Sequence, residues 1–337
     1  MSAFIEEKLE EILPTVSKPA RYVGGELNCV YKDHADVDVK WAVAFPDAYE
    51  IGMSNLALSI VSHVINSRDD AVAERVYAPW PDMEQAMRAH GVPLYTLESK
   101  TPVADFDFFA FSLSYELSYT NVLAMLDLAG MPVRAADRDA GRPGGGAWPL
   151  VIAGGHCTFN PEPMAPFIDL FVIGEGEEIL HEIIDTWKAA RGLPREELLL
   201  RMAQIRGLYV PRFYESRVSD RTDPSYSCPD PRFAEADRRL FQAVVPARQE
   251  VPPRVVRRLV WDVENVPYPT KPIIPFIEVV HDRISLEVMR GCTRGCRFCQ
   301  AGMITRPVRE KSPRRLMELA RQLVRSTGHE DISLVSL

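Results

Sequence analysis

Short apolar runs alternate with segments of helical spacing through the first half of this 337-residue chain, and that alternation narrows its fold more than any other feature. Runs at 39–45, 75–78, 106–112, 150–153 and 168–173 have the length and composition of buried strands. Between them, residues 53–66 place Met53, Leu56, Ile60 and Val64 at helical spacing. Residues 81–90 form a second helical segment, with a proline in its first turn and Gly91 closing it. Further helices are expected over 119–128 and in a segment ending near residue 190. Strands alternating with helices predict a parallel sheet covered on both faces. Ligands of such sheets sit in the loops after the strands' carboxyl ends. Here those loops are 45–52, 112–115, 154–157 and 174–177.

The pattern divides the chain into an amino-terminal helix (1–20), the α/β unit (21–190), a linker (191–280) and a final segment (281–337). The linker is polar and rich in Pro and Arg, with a few short strands such as 207–214. The final segment holds a strand at 284–289, an amphipathic helix at 313–326 and a strand at 332–337, one β-α-β unit. A domain does not end one such unit after it begins, so the chain is expected to be the amino-terminal portion of a longer protein.

Hydrophobic residues at 46% and charged residues at 26% describe an ordinary globular chain. A net charge of -8 gives no general attraction to nucleic acid. The acidic start lacks the basic and apolar regions of a signal peptide, and no apolar run approaches a membrane span, so a cytoplasmic location is expected. Of six cysteines, Cys29, Cys157 and Cys228 are scattered, while Cys292, Cys296 and Cys299 are packed together. Without an export signal, such clustering favours metal ligation over disulfides.

The cluster of cysteines lies in Gly-Cys-Thr-Arg-Gly-Cys-Arg-Phe-Cys-Gln at 291–300, spaced C-x3-C-x2-C between a strand and a helix. Thiolates this close can converge on one cubane, and three ligands for four irons leave one iron open. Zinc would want a fourth Cys or His, and neither His281 nor His329 has the paired spacing of a zinc ribbon. This loop resembles that of the radical S-adenosylmethionine (SAM) family. The resemblance implies a [4Fe-4S] cluster on Cys292, Cys296 and Cys299, with SAM on the open iron. It further implies SAM cleavage to a 5′-deoxyadenosyl radical, a SAM contact at Phe298, and an electron donor such as flavodoxin or ferredoxin.

The first unit resembles the flavodoxin-like, cobalamin-binding domain that precedes many radical SAM TIM-type barrels, so that the final segment corresponds to the barrel's first unit. That pattern is D-x-H-x-x-G, a Ser-Leu element and a Gly-Gly pair, met here by Asp47 and Gly52, Ser112 and Leu113, and Gly154 and Gly155. Gly174, Glu175 and Gly176 match a further loop of these domains. Tyr49 stands at the histidine position. The resemblance therefore implies cobalamin held without the usual imidazole below cobalt, since a phenol with a pKa of about 10 is a poor replacement. His63 and His156 are alternative ligands beside plain surface and capping roles. Tyr49, Glu50, Tyr115, Glu116 and Glu162 either line a cleft or cap turns. Arg306, Arg309, Arg314 and Arg315 read as a solvated helix entry, or as an anion site.

Stretches around 45–55, 79–84, 115–121 and 160–163 extend the resemblance over nearly the whole chain, to a subfamily of B12-domain radical SAM proteins. It implies an enzyme whose longer form transfers a methyl or alkyl group to a substrate the sequence does not name. Two other readings stay open: a binding module without turnover, and a zinc-stabilised structural element.

Overall fold

The computed structural model describes residues 1–219 and 241–336; Cys228 and Leu337 lie outside them. Strands β1 (Val39–Phe45), β2 (Ala71–Tyr77), β3 (Phe108–Ser112), β4 (Leu150–Gly154) and β5 (Leu170–Val172) pair in parallel. Their order is 2-1-3-4-5, and a short β6 (Leu208–Tyr209) adds antiparallel to β5. Every residue of β2 and nearly every residue of β1 is buried, whichever way its side chain points, so both faces of the sheet are covered. The order reverses between β1 and β3, which opens a crevice at their carboxyl ends.

The connecting helices are α1 (Ser2–Ile12), α2 (Tyr49–Gly52), α3 (Leu56–Asn66), α4 (Pro81–His90), α5 (Tyr119–Leu128), α6 (Ile179–Ala190) and α7 (Arg195–Met202). The amphipathic α1 puts Ile5, Leu9 and Ile12 into the main core. Helix α3 starts later than its apolar spacing predicts, because the Asn55 side chain accepts from the Leu58 amide (3.0 Å) and caps it there. The single turn α2 precedes it.

Strand β2 runs from residue 71, four residues before the expected start, because Glu74 and Arg75 disguise a buried strand. The expected strand at 207–214 is broken: Pro211 starts a tight turn between β6 and β7 (Tyr214–Ser219). Strand β7 pairs antiparallel with β8 (Phe241–Pro246). Within the expected linker, α7 and β6 bury Leu198, Leu199, Met202 and Leu208 in the same core as the strands.

The final segment holds β9 (Ile284–Arg290), α8 (Ala301–Ile304), β10 (Arg309–Glu310), α9 (Pro313–Thr327) and β11 (Ile332–Ser336). Strands β9 and β11 are parallel on either side of α9, and β10 turns back antiparallel along β9. Ser312 caps α9 by accepting from the Arg315 amide (3.2 Å), Pro313 opens it and Gly328 ends it. A small core of Tyr268, Ile284, Leu286, Leu319 and Leu323 forms beneath it, and Leu56 of α3 packs against both this core and the main one. No helix among the described residues is long and apolar enough to cross a membrane.

Charge is buried in the first unit as a shared ion. The Arg75 guanidinium donates to Glu26 (2.8 Å) and to Glu98 (2.6 Å), and Tyr49 donates its hydroxyl to Glu26 (2.7 Å). One cation serves two carboxylates, which split. Burial raises Glu98, against the pull of Arg75. Burial also works to raise Glu26, but Arg75 and the Tyr49 hydroxyl outweigh it and hold that carboxyl at about 2. A depressed carboxyl stabilises fully above its unfolded value of about 4.3 and loses that contribution as pH falls toward about 2. Urea titrations followed by circular dichroism between pH 7 and pH 2 are expected to lose on the order of 3 kcal/mol through this window. Glu26→Gln is expected to be less stable at neutral pH and to flatten the decline; an unchanged pH slope in the variant contradicts this assignment.

Candidate functional site

A cavity of about 320 Å³ lies at the carboxyl ends of β3, β4 and β5, between the main sheet and the final segment. Trp41 and Val43 of β1 form its floor, with Leu56, Ile60 and Val61 of α3 and Leu180 of α6 as walls. Its mouth carries Ser112, residues 154–156 and residues 174–177, and Arg290, Ile304 and Thr305 roof it. The lining is mostly apolar, and the indole nitrogen of Trp41 is buried without a hydrogen-bond partner.

Six of the expected site residues converge here: Ser112, Gly154, Gly155, Gly174, Glu175 and Gly176. Asp47, Tyr49 and Leu113 do not line the cavity, and Gly52 belongs to a second one of about 260 Å³ on the other side of α3. Tyr49 is 1% exposed, turned onto Glu26 and edge-on to Tyr77. Its phenol is raised, chiefly by burial and then by the neighbouring Glu26 charge. Asp47 caps the Ala48 amide (2.7 Å) and accepts from the Tyr115 hydroxyl. Leu113 is buried, its amide donating to the Gly154 carbonyl (2.7 Å). A Cβ on Gly52 would meet the Tyr77 ring at 2.3 Å.

Two glycines of the motif serve the protein's own packing. Gly155 (φ +105°) lets the β4 loop pass Leu113, whose carbonyl oxygen would lie 2.5 Å from a Cβ. Gly174 (φ +111°) lets Arg258 run alongside, with its carbonyl oxygen 2.1 Å from where a Cβ would stand. The Arg258 amide donates to Ile173 and its carbonyl accepts from Glu175, closing a bridge at the sheet's edge.

The acidic residues of the 174–177 loop face the final segment. Arg309 donates to both oxygens of Glu175, each at 2.7 Å, and the Val260 amide adds a third bond at 2.6 Å. Glu177 accepts from Arg290 at 2.5 Å, and Arg290 also holds Glu287 (2.9 Å), which accepts from Lys311 (2.6 Å). Three cations thus meet three carboxylates, all largely out of water. Burial opposes the charge on Arg290, yet Glu177 and Glu287 outweigh it and its pKa rises. The expected solvated arginine run is corrected at Arg309, which is buried. Glu287, Arg290 and Lys311 escape sequence reasoning, although charges at 287 and 290 in an otherwise apolar strand are a signal that partners exist.

The cysteine loop leaves β9 at Arg290 and returns at β10. Cys292 and Cys299 are half-buried and Cys296 is exposed. The Arg294 amide donates to Cys292 Sγ (3.5 Å) and the Gly302 amide to Cys299 Sγ (3.3 Å). Gly302 stands against both: a Cβ there would lie 3.6 Å from Cys299 Sγ and 4.0 Å from Cys292 Cβ. Three soft thiol donors with amide hydrogen bonds suit an iron–sulfur cluster by donor chemistry. Among the described residues no three His, Cys, Asp or Glu side chains are grouped closely enough to hold a metal ion, so the loop carries the donors without gathering them. His281 and His329 line the second cavity rather than this loop. Phe298 is 92% exposed.

The remaining candidates divide. His156 lines the main cavity and His63 the second, each imidazole lowered by burial. Glu50 pairs with Arg21 and Lys18 (2.8 Å each), and Glu162 accepts from Tyr209 (2.5 Å). Gly174→Ala is expected to destabilise the chain by more than about 2 kcal/mol in urea denaturation, because a positive φ and a backbone clash coincide. The expected hydrogen-exchange signature is lost protection of the Arg258 amide, and retained protection with unchanged stability counts against this account.

Residues 57–211 match the family described as radical SAM proteins, N-terminal. The uncharacterized protein MJ0966 of Methanocaldococcus jannaschii is 22% identical over 299 residues, covering 88% of this chain and 48% of that protein. The radical S-adenosylmethionine methyltransferase TsrM of Kitasatospora setae, solved with cobalamin and a [4Fe-4S] cluster, aligns with a TM-score of 0.46. Its identity is 12%, over 89% of this chain and 49% of its own. The same protein with tryptophan substrate and the SAM analog aza-SAM gives a TM-score of 0.46 and 14% identity, over 89% and 48%. The chain spans about half the length of the relatives it matches.

Proposed function

We propose that this chain forms part of a radical SAM iron–sulfur enzyme, in which Cys292, Cys296 and Cys299 are the protein ligands of a [4Fe-4S] cluster. The observation that carries the reading is the C-x3-C-x2-C loop, set between β9 and α9 of a β-α-β unit whose stem roofs the cavity of the main sheet. The match of residues 57–211 to an N-terminal radical SAM family supports it. A cluster held by Cys292, Cys296 and Cys299 would supply the electron for reductive cleavage of a carbon–sulfur bond of SAM.

The chain's own residues then have separable roles. The amides of Arg294 and Gly302 stabilise thiolate charge at Cys292 and Cys299. The exposure of Phe298 supports reading the loop's surface as open to SAM and to a small electron donor such as flavodoxin or ferredoxin. The sheet order 2-1-3-4-5 is the flavodoxin-like one, and β9, α9 and β11 read as the first unit of a TIM-type barrel. The apolar, glycine-edged lining of the main cavity supports reading it as the cobalamin site. Tyr49 is committed to Glu26, so cobalt there would lack an imidazole from the D-x-x-x-x-G segment. In the longer protein the reaction is a radical methyl or alkyl transfer in the cytoplasm.

A second reading, a binding module without turnover, is favoured by one observation: most of the cavity wall comes from the first unit alone.

Anaerobic reconstitution of the chain with iron and sulfide is expected to give about four irons per chain and a cluster spectrum. Cys292→Ala, Cys296→Ala and Cys299→Ala are each expected to lose most of it. Full iron retention by Cys296→Ala, or zinc in place of iron after anaerobic purification, sinks the assignment. Titration with hydroxocobalamin is expected to show uptake, and the reduced cob(II)alamin should lack nitrogen superhyperfine splitting in its electron paramagnetic resonance (EPR) spectrum. A nitrogen triplet there contradicts this reading.

A further inference from the structure

The cysteine loop has a narrow stem. Arg290, its last residue on β9, stands directly opposite Arg309 on β10. Two like charges facing each other across a strand pair repel, more so out of water. Each is answered from outside the segment: Arg290 by Glu177 at 2.5 Å and Arg309 by both oxygens of Glu175 at 2.7 Å. The two carboxylates are separated only by Gly176, so one short loop of the first sheet grips both sides of the stem. Arg306, inside the loop, donates to the Cys292 carbonyl (3.2 Å), and Arg309 donates to the Thr305 carbonyl (3.2 Å), so the grip extends to both limbs.

We propose that Glu175 and Glu177 are positioning residues for the cysteine loop, clamping its two stem arginines so that the first sheet sets where the thiolates stand. Glu175, expected from the sequence to contact a cofactor, gives its side-chain hydrogen bonds to Arg309 and the Val260 amide. It rests on the reading that the three cysteines hold a cluster. It goes beyond that reading by making the sheet's edge part of the cluster's support.

The test uses the full chain with Glu175→Gln and Glu177→Gln, which keep shape and remove charge. Glu178→Gln, whose partner Arg258 lies outside the stem, serves as a control. Hydrogen exchange of residues 291–308 is measured before reconstitution, and iron content and the EPR spectrum of the reduced cluster after it. Exchange in the loop is expected to rise at least about tenfold in both variants while β1 to β4 stay protected. Iron should still load, but the EPR spectrum should split into more than one species. Glu178→Gln should match the unaltered chain in both measurements. Loop exchange within about twofold of the unaltered chain overturns the proposal, as does an equal rise throughout the main sheet, which would mark a purely structural role. Should the unaltered chain take up no iron, the cluster reading fails while the exchange measurement still decides the clamp.

Discussion

Arg290 and Arg309 face one another out of water with Glu175 and Glu177 reaching them from the first sheet, joined at Arg290 by Glu287 of its own strand. Removing an ion from water carries a penalty of several kcal/mol, recovered only when geometry and hydrogen bonding are both good. The geometry here is good: a bidentate pair on Arg309, and a guanidinium on Arg290 divided between Glu177 and Glu287. The placement of the final segment follows from this charge matching, since its own apolar core is small. The main cavity shares in this network, because Arg290 roofs it and Arg309 holds the Thr305 carbonyl beside it.

How much could be read from the sequence depended on what each residue was hidden by. Strands β1, β3 and β4 were legible because continuous apolar runs leave no alternative in a chain of this composition. Strand β2 was half-legible, since Glu74 and Arg75 look like surface until their partners are known: His34, Thr96 and Ser99 for Glu74, and Glu26 and Glu98 for Arg75. Those partners are distant in sequence, which no local pattern encodes. Helix α7 was lost for a related reason: its charged first turn sits in a stretch whose prolines and arginines resemble a linker.

The glycine-rich loops illustrate a different limit. Their positions were legible, and four of those glycines border the cavity. Their reasons were not. A glycine that permits a ligand's approach and one that permits another strand's approach leave the same letter in the sequence. Gly155 and Gly174 are of the second kind, set against the Leu113 and Arg258 carbonyls. The acidic residues of the 174–177 loop were similarly visible but turned toward arginines more than 100 residues away. Tyr49, which stands where the related pattern has histidine, is bound into a buried hydrogen bond with Glu26.

Leu56 packs against both cores, and it also lines both cavities. With Leu58 it makes the first turn of α3 a partition between two chambers. Side chains that line both chambers couple them by excluded volume: room they give up on one side they take on the other. Occupants of the two spaces would therefore sense each other through a rotamer, with no hinge or domain movement needed.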